Sequence, residues 1–357
     1  MRMTKKIIAV PDKLTLRASI SFCRELKKLG EADDYVFDFK KTNFVEPCGM
    51  LLVSSEIQRF MENKPDCNMS CENYRNMSYA GHMGFFKAFR MDFGNAPGQA
   101  PGNRNYIPLS ILDVDEILQS AAENYREAGD EVEARSRQMT KTLLGVDSGD
   151  IFETLSYSIR EIIRNVVEHA QSQQIGLCAQ YWPSKGKAEV AILDRGRGLR
   201  ASLSSNPYID TSTDKQSLNY ALMPAISGVA FKGAKNRVKS PWANSGFGLY
   251  MTNRICRNGG NFFICSGDTG MLLTSSGEGK RYFDTCFDGT VVRLTIETKN
   301  IDSLSEALGR YREEGYEFQK KYREIVDIDP SAASLMLSED FDISIWDKLL
   351  SKVKSRL

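Results

Sequence analysis

The sequence has few histidines and no closely paired cysteines, and both shortages limit the metal chemistry open to it. Only two histidines, His82 and His169, occur among the 357 residues. The eight cysteines are scattered and form no CxxC pair, which argues against a multi-histidine metal centre and against a zinc site. We therefore expect reduced thiols, as in a cytosolic protein.

Long apolar runs and a surplus of charge are also missing. No stretch approaches the roughly 18–20 apolar residues of a membrane helix. The N-terminus offers only a short apolar run at 7–10, where an export signal needs about 7–15 apolar residues. Lys and Arg number 47 against 46 Asp and Glu, a formal charge of +1, which argues against a nucleic-acid coat or a disordered chain. We expect a cytoplasmic protein with no membrane contact and no nucleic-acid partner.

Strand-like and helix-like segments alternate over the first 95 residues, which predicts a small α/β domain over 1–95. The patterns place strands at 7–10 and 35–39 and helices at 16–29 and 50–61. The length as a whole suits about two domains of ~150 residues each.

A stretch rich in Gly and Pro marks the best domain boundary, and we assign 96–112 as a linker. Beyond it we predict a second α/β domain over 113–300, which opens with a charged helical segment, long or broken, at 113–150. A C-terminal helical extension over 301–357 follows. Within the second domain the patterns predict helices and strands at 151–170, 175–181, 188–193, 249–257 and 291–296.

The helix predicted at 151–170 is strongly amphipathic. Its apolar face is spaced at 3.6 residues and consists of Ile159, Ile162, Ile163, Val166, Val167 and Ala170. Glu161, Asn165 and Glu168 fall on the opposite face. Taken alone, this pattern predicts an ordinary surface helix with a solvated polar face.

Three glycine-containing motifs follow this helix. The strand at 188–193 runs into DRGRG at 194–198, and an acid followed by alternating glycines lets the backbone approach a planar ligand closely. The sequence NSGFGL at 244–249 then opens a helix, where free backbone N–H groups bind phosphate. It is neither a Walker loop nor a dinucleotide-binding GxGxxG. Finally, Gly289 and Thr290 precede the strand at 291–296.

In this order the four pieces resemble the GHKL ATPases, which include gyrase B subunits, heat-shock chaperone ATPase domains, MutL-type repair proteins and histidine kinases. The resemblance covers about 151–298 and implies a Bergerat-type α/β sandwich that binds ATP and Mg²⁺. It implies that Asn165 coordinates Mg²⁺, that Glu161 activates water or another attacking group, and that Asp194 binds the adenine amino group. Gly196 and Gly198 would flank the purine.

The same resemblance places Gly246 and Gly248 at the phosphates, together with their loop neighbours Ser245, Phe247 and Leu249. Thr290 would support the adenine aspartate, and we expect a structural role for His169. The coordination chemistry of Mg²⁺ agrees with this assignment. The ion takes oxygen ligands and retains waters, so one Asn carbonyl and ATP phosphates suffice as its site. A Glu one helical turn away is placed to act as a general base.

The segment between the two glycine motifs is basic. Residues 195–239 carry eight Lys and Arg residues against two aspartates. This segment resembles the mobile ATP lid of the family, and its basic end, with Lys235, would contact phosphates. The alternative interpretation is a solvated basic loop.

The first domain resembles a STAS domain, the fold of anti-sigma-factor antagonists, through the segments at 36–39 and 44–51. In that family a serine in the turn before a helix is the phosphorylation switch. Pro47 and Cys48 stand at the two serine positions here, so the resemblance implies a docking role without the familiar switch. The alternative is that Glu46 and Cys48 simply form a turn.

These observations favour a Mg²⁺-dependent ATPase that acts as a nucleotide-controlled switch for a protein partner. Two alternatives stay open: a serine/threonine protein kinase similar to anti-sigma-factor kinases, and a non-hydrolysing ATP-binding interaction module. Histidine autophosphorylation is disfavoured, because the segment 113–150 contains no histidine. We expect the partner to bind the STAS-like domain or the C-terminal helices, and we expect a homodimer.

Overall fold

The computed structural model describes residues 4–224, 226–229, 231, 248–258, 260–275 and 279–299, together with 306, 309, 310 and 313. Over these residues the chain is a mixed α/β protein with parallel and antiparallel sheets. We describe it as an N-terminal part, residues 4–95, and a C-terminal part, residues 96–299.

The N-terminal part contains five strands and three helices. They are β1 (Lys5–Ala9), β2 (Lys13–Leu14), α1 (Leu16–Lys27), β3 (Asp34–Asp38), β4 (Phe44–Val45), α2 (Pro47–Glu62), β5 (Asn68–Glu72) and α3 (Ser78–His82). Strands β1, β3 and β5 form a parallel sheet in the order β1-β3-β5, and β2 pairs with β4. Helix α2 begins with Pro47, whose fixed φ suits a first helical position. The helices predicted at 16–29 and 50–61 are thereby confirmed.

The described residues of the C-terminal part form a larger sheet and six α-helices. They are β6 (Tyr106–Asp113), α4 (Val114–Glu123), α5 (Ala128–Leu144), α6 (Asp150–Asn165), β7 (Gln174–Trp182), β8 (Lys187–Asp194), α7 (Gly198–Leu203), α8 (Asp214–Ala221), α9 (Gly248–Arg257), β9 (Asn261–Thr274) and β10 (Lys280–Glu297). The five strands pair antiparallel in the order β6-β7-β8-β10-β9. A π-helical turn, Val166–Ala170, continues α6.

Helices α5, α6 and α9 cover one face of the five-stranded sheet. Val190 and Ile192 of β8 belong to this core, and they are packed with Ile159 and Ile163 of α6. These four side chains are almost fully buried. The apolar face predicted for the helix at 151–170 is therefore the face that meets the sheet.

Helices α1 and α2 of the N-terminal part cover the opposite face of the same sheet. Ala191 and Leu193 of β8 share a second hydrophobic core with Leu51 and Leu52 of α2. Because side chains alternate along a strand, β8 contributes to both cores and is buried on both faces. The five-stranded sheet is thus the middle layer of the molecule.

A buried charged pair lies within this second interface. Glu189 of β8 is fully buried, and its Oε2 is 2.7 Å from Arg293 Nη2 of β10. Glu189 Oε1 accepts the backbone N–H of Cys48, the second residue of α2, at 3.2 Å. Arg293 also donates to Asn261 Oδ1 at 2.8 Å and lies 3.8 Å from Glu46. Glu46 and Cys48 therefore do more than form a turn, since both contact charged residues of the sheet.

One segment differs from the sequence prediction. The stretch assigned as a linker, 96–112, contains most of strand β6, which forms the edge of the larger sheet. The charged segment at 113–150, predicted as one long or broken helix, is broken: it forms α4 and α5, which are separated at Tyr125. Tyr125 has a φ of 53°, a left-handed value that neither helix can contain.

Part of the predicted organisation lies outside the described residues. This holds for the C-terminal extension at 301–357, apart from 306, 309, 310 and 313. Within the described part of the chain, no helix is long and apolar enough to cross a membrane.

The buried pair predicts a strong effect on stability. We expect Glu189→Ala to lower the free energy of unfolding by about 3–5 kcal/mol, because Arg293 would stay buried without its nearest carboxylate. Urea denaturation measures this difference. The matched control is Arg24→Ala, which removes an exposed ion pair of α1 with Asp284 at 3.3 Å in the same interface. That variant should lose less than about 1 kcal/mol. Equal losses in the two variants would contradict the role given to the buried pair.

Candidate functional site

Helix α6 brings Glu161 and Asn165 to one side of a cleft beside the sheet. The sequence pattern puts these residues on the face opposite the apolar one, and there it predicts solvent. Glu161 is in fact only 2 % exposed, because α9 packs against α6. A Cβ on Gly248, the first residue of α9, would collide with Glu161 Oε2. The glycine leaves room for this carboxylate beside the first residue of α9.

Two arginines of α6 engage the Glu161 carboxylate. Arg160 donates to Oε1 through Nη2 at 2.7 Å and through Nε at 3.1 Å. Arg164 Nη2 lies 3.1 Å from Oε2. A general base needs a lone pair that is free to take a proton. The three contacts leave Glu161 fewer lone pairs for this role, and they hold its carboxylate in one orientation.

Asp194 lies at the end of β8, where it is 3 % exposed. Its Oδ1 accepts the backbone N–H of Gly196 at 2.8 Å. Thr290 is its direct partner in the β8–β10 register, and the hydroxyl and backbone N–H of Thr290 favour the charged carboxylate. Burial outweighs these hydrogen bonds and raises the pKa of Asp194 to about 6.

The two glycines after Asp194 shape the adjoining loop. A Cβ on Gly196 would collide with the carbonyl oxygen of Ala170, so only glycine allows the loop to approach the end of the π-helical turn. Gly198 has a φ of +74°, a left-handed value that favours glycine, and it begins α7. The loop is thereby held close to the cleft without filling it.

The predicted site residues that the structure describes lie at or beside this cleft, whose cavity volume is about 90 Å³. Six of them line it, namely Asn165, Asp194, Gly198, Gly248, Leu249 and Thr290. Glu161 and Gly196 lie just behind the wall, beside Gly248 and Ala170. The predicted residues Lys235, Ser245, Gly246 and Phe247 lie outside the described residues.

The cleft also has walls that the motifs do not predict. His169 lines it, and burial lowers the pKa of this imidazole to about 4, so the ring is neutral at pH 7. Further lining comes from the segment after α8, at 226–229, where a Cβ on Gly228 would collide with the carbonyl oxygen of Ser202. The sequence signal for this part of the cleft is the pair Ser227 and Gly228, but a single glycine in a loop is too common to identify the lining of a binding site.

The basic residues at the start of the predicted lid are occupied elsewhere. Arg197 Nε donates to the carbonyl oxygen of His169 at 2.8 Å, and Arg200 Nε donates to that of Thr211 at 2.9 Å. Arg195 reaches α2 on the other side of the sheet. These three arginines therefore organise the backbone around the cleft.

The residues present fit a phosphate-borne magnesium ion better than a metal caged by protein. No group of three or more His, Cys, Asp or Glu side chains suited to a metal occurs in the part of the chain that is described. Asn165 offers a side-chain amide at the cleft wall, close to the start of α9. Mg²⁺ is commonly held by one or two protein oxygens, substrate phosphates and water.

Comparison with known proteins adds no relative: no protein-family model, no curated protein and no solved structure matches this chain. The functional assignment therefore rests on the geometry of the cleft.

The raised pKa of Asp194 predicts a pH-dependent stability. An unfolded aspartate titrates near 3.9, so the folded state holds this proton more tightly and the contribution of Asp194 to stability falls as pH rises from about 4 to 6. We expect the unfolding free energy of the wild type, minus that of Asp194→Asn, to decline by about 2–3 kcal/mol over this window. Urea denaturation between pH 4 and 7 measures the difference, and a flat difference profile would contradict the assignment.

Proposed function

We propose that this chain is an ATP-binding protein of the GHKL type, whose C-terminal part is a Bergerat-type sandwich and whose N-terminal part is STAS-like. The observation that carries the proposal is the convergence of Asn165, Asp194, Thr290 and the start of α9 on one cleft. These residues come from four separate elements. They supply an acceptor for a base, an oxygen ligand for a metal and backbone donors for phosphate.

The buried end of the cleft suits adenine. Asp194 accepts the backbone N–H of Gly196 and lies opposite Thr290, so its carboxylate is held in place to accept the amino group of the base. The apolar side chains of Val166, Ile192 and Ile264 line the same cleft and would contact the ring.

The opposite end suits the phosphates. Helix α9 begins there with Gly248 and Leu249, and the first backbone N–H groups of a helix favour anions. Asn165 would hold Mg²⁺ against these phosphates. When bound, the ion would neutralise phosphate charge and orient the terminal phosphoryl group.

Glu161 is the residue we assign to activation of the attacking water. Its carboxylate is close to Gly248 and therefore to the phosphate end of the cleft. Because Arg160 and Arg164 engage it, we expect slow hydrolysis, which suits a conformational switch better than a metabolic enzyme. This function requires a protein partner that responds to the nucleotide.

The same arginine contacts favour a second candidate, a non-hydrolysing ATP-binding module in which Glu161 has a structural role. A protein kinase that phosphorylates serine or threonine on another protein is a third candidate, and it would use the same cleft. We further propose a cytoplasmic homodimer. Since the start of α2 is buried on the sheet through Cys48 and Glu189, a partner of the N-terminal part would use another of its surfaces.

Incubation with Mg²⁺-ATP, following free and protein-bound phosphate together, tests the proposal. We expect slow phosphate release by the wild type and a loss of at least about 100-fold in Glu161→Ala, since a general base contributes that much. ATP affinity should survive in Glu161→Ala and be lost in Asp194→Asn. Glu153→Ala, in the same helix but paired with Arg137 of α5 at 2.7 Å, is the matched control. Binding without turnover would favour the module, and labelled partner protein would favour the kinase.

The arginine contacts make a separate prediction about rate. We expect Arg160→Met to raise the turnover number by roughly tenfold with KM unchanged, because it removes two charge-assisted hydrogen bonds from Oε1. The long methionine side chain keeps the packing against Tyr157, over which Arg160 lies at 4.8 Å. Steady-state phosphate release measures both constants. A turnover number that falls would show that Arg160 supports Glu161 and does not restrain it.

A further inference from the structure

Helix α2 is attached to the segment that follows β8. Arg195, the residue after Asp194, points away from the cleft and donates to Ser55 Oγ at 3.1 Å and to Glu62 Oε2 at 2.9 Å. It also donates to the carbonyl oxygen of Ser55 and, at 3.2 Å, to Gln58 Oε1. One guanidinium therefore makes four hydrogen bonds to the C-terminal half of α2.

The same helix is attached to the segment that precedes Thr290. Arg59 of α2 donates to the carbonyl oxygen of Asp288 at 2.7 Å and lies over the ring of Phe287, 5.0 Å from its centre. Its side chain is 13 % exposed and is also paired with Glu56 at 3.1 Å. Asp288 is two residues before Thr290, so this contact holds the backbone next to the second adenine-side residue.

The loop after Asp194 is held from the other side as well. Arg197 donates its backbone N–H to the carbonyl oxygen of Ala170 at 2.8 Å, at the end of the π-helical turn that follows Asn165. The loop therefore lies between α2 on one side and the helix of Glu161 and Asn165 on the other. Its position depends on both.

We propose that α2 is a positioning element of the nucleotide site, with Arg195 and Arg59 as positioning residues that align Asp194 with Thr290. This inference rests on the proposed function. Asp194 and Thr290 are opposite each other on β8 and β10, and α2 holds the backbone beside each of them. The N-terminal part thereby determines the relative position of the two residues with which the cleft would recognise a base.

Base selectivity reports this positioning directly. Adenine presents an amino donor where guanine presents a carbonyl acceptor, so a fixed carboxylate at Asp194 favours ATP over GTP. A loosened loop lets the carboxylate move away from the base, which weakens ATP binding and leaves GTP binding nearly unchanged. A merely structural contact would weaken both nucleotides equally or neither.

The test is calorimetric titration of the full chain, in Mg²⁺, with non-hydrolysable analogues of ATP and of GTP. We expect Arg195→Ala to weaken binding of the ATP analogue about five- to tenfold and to lower the ATP/GTP affinity ratio by a similar factor. Arg59→Ala should act in the same direction, and Arg195→Lys should restore part of the ratio. Arg24→Ala is the matched control, because it removes an interface arginine whose partner, Asp284, is not next to Thr290.

The outcomes separate this inference from the proposed function. A wild type that binds no ATP analogue would overturn both. A wild type that prefers the ATP analogue, with an unchanged ratio in a folded Arg195→Ala, would overturn the positioning role alone. If Arg195→Ala does not fold, Glu62→Gln decides, because Glu62 is 38 % exposed at the end of α2 and its substitution leaves the core intact. A ratio unchanged in both Glu62→Gln and Arg195→Lys would then overturn the inference.

Discussion

Burial of β8 on both faces is the constraint on which the rest of the structure depends. Val190 and Ile192 pack into the helical core, while Ala191 and Leu193 pack into the core shared with the N-terminal part. A shift of one residue would exchange the two sets, so the register of the strand is strongly determined. Because Asp194 is the last residue of β8, its place in the cleft follows from this register.

The buried charged residues around the sheet have two different roles. Glu189 and Arg293 are paired inside the interface with α2, where the pair fixes how the N-terminal part lies on the strand. Glu161 is also buried and paired, but it borders the cleft, and the contacts that stabilise it compete with its use as a base. Burial has a comparable effect at Asp194, because it raises the pKa of the side chain, whereas the proposed adenine binding uses the charged carboxylate.

Sequence patterns predict the local structure around the cleft where it depends on neighbouring residues. The strand pattern at 188–193 places Asp194 at a strand end, with two glycines after it. The amphipathic period of α6 predicts which of its faces is apolar. The patterns fail where the contact partner is distant. They assign solvent to the face of Glu161 and a linker to the residues of β6. Neighbouring residues alone reveal neither the packing of α9 on Glu161 nor the pairing of β6 with β7.

The sequence by itself determined the order of the motifs, the amphipathic helices and the strand that carries Asp194, because these depend on periodicity and on neighbouring residues. Only the tertiary structure decided that α2 covers the sheet and that Arg195 binds Ser55 and Glu62, more than 130 residues away in the chain. Such contacts depend on which surfaces remain to be buried once the elements have formed. That choice is made by packing of the whole chain and has no local signature.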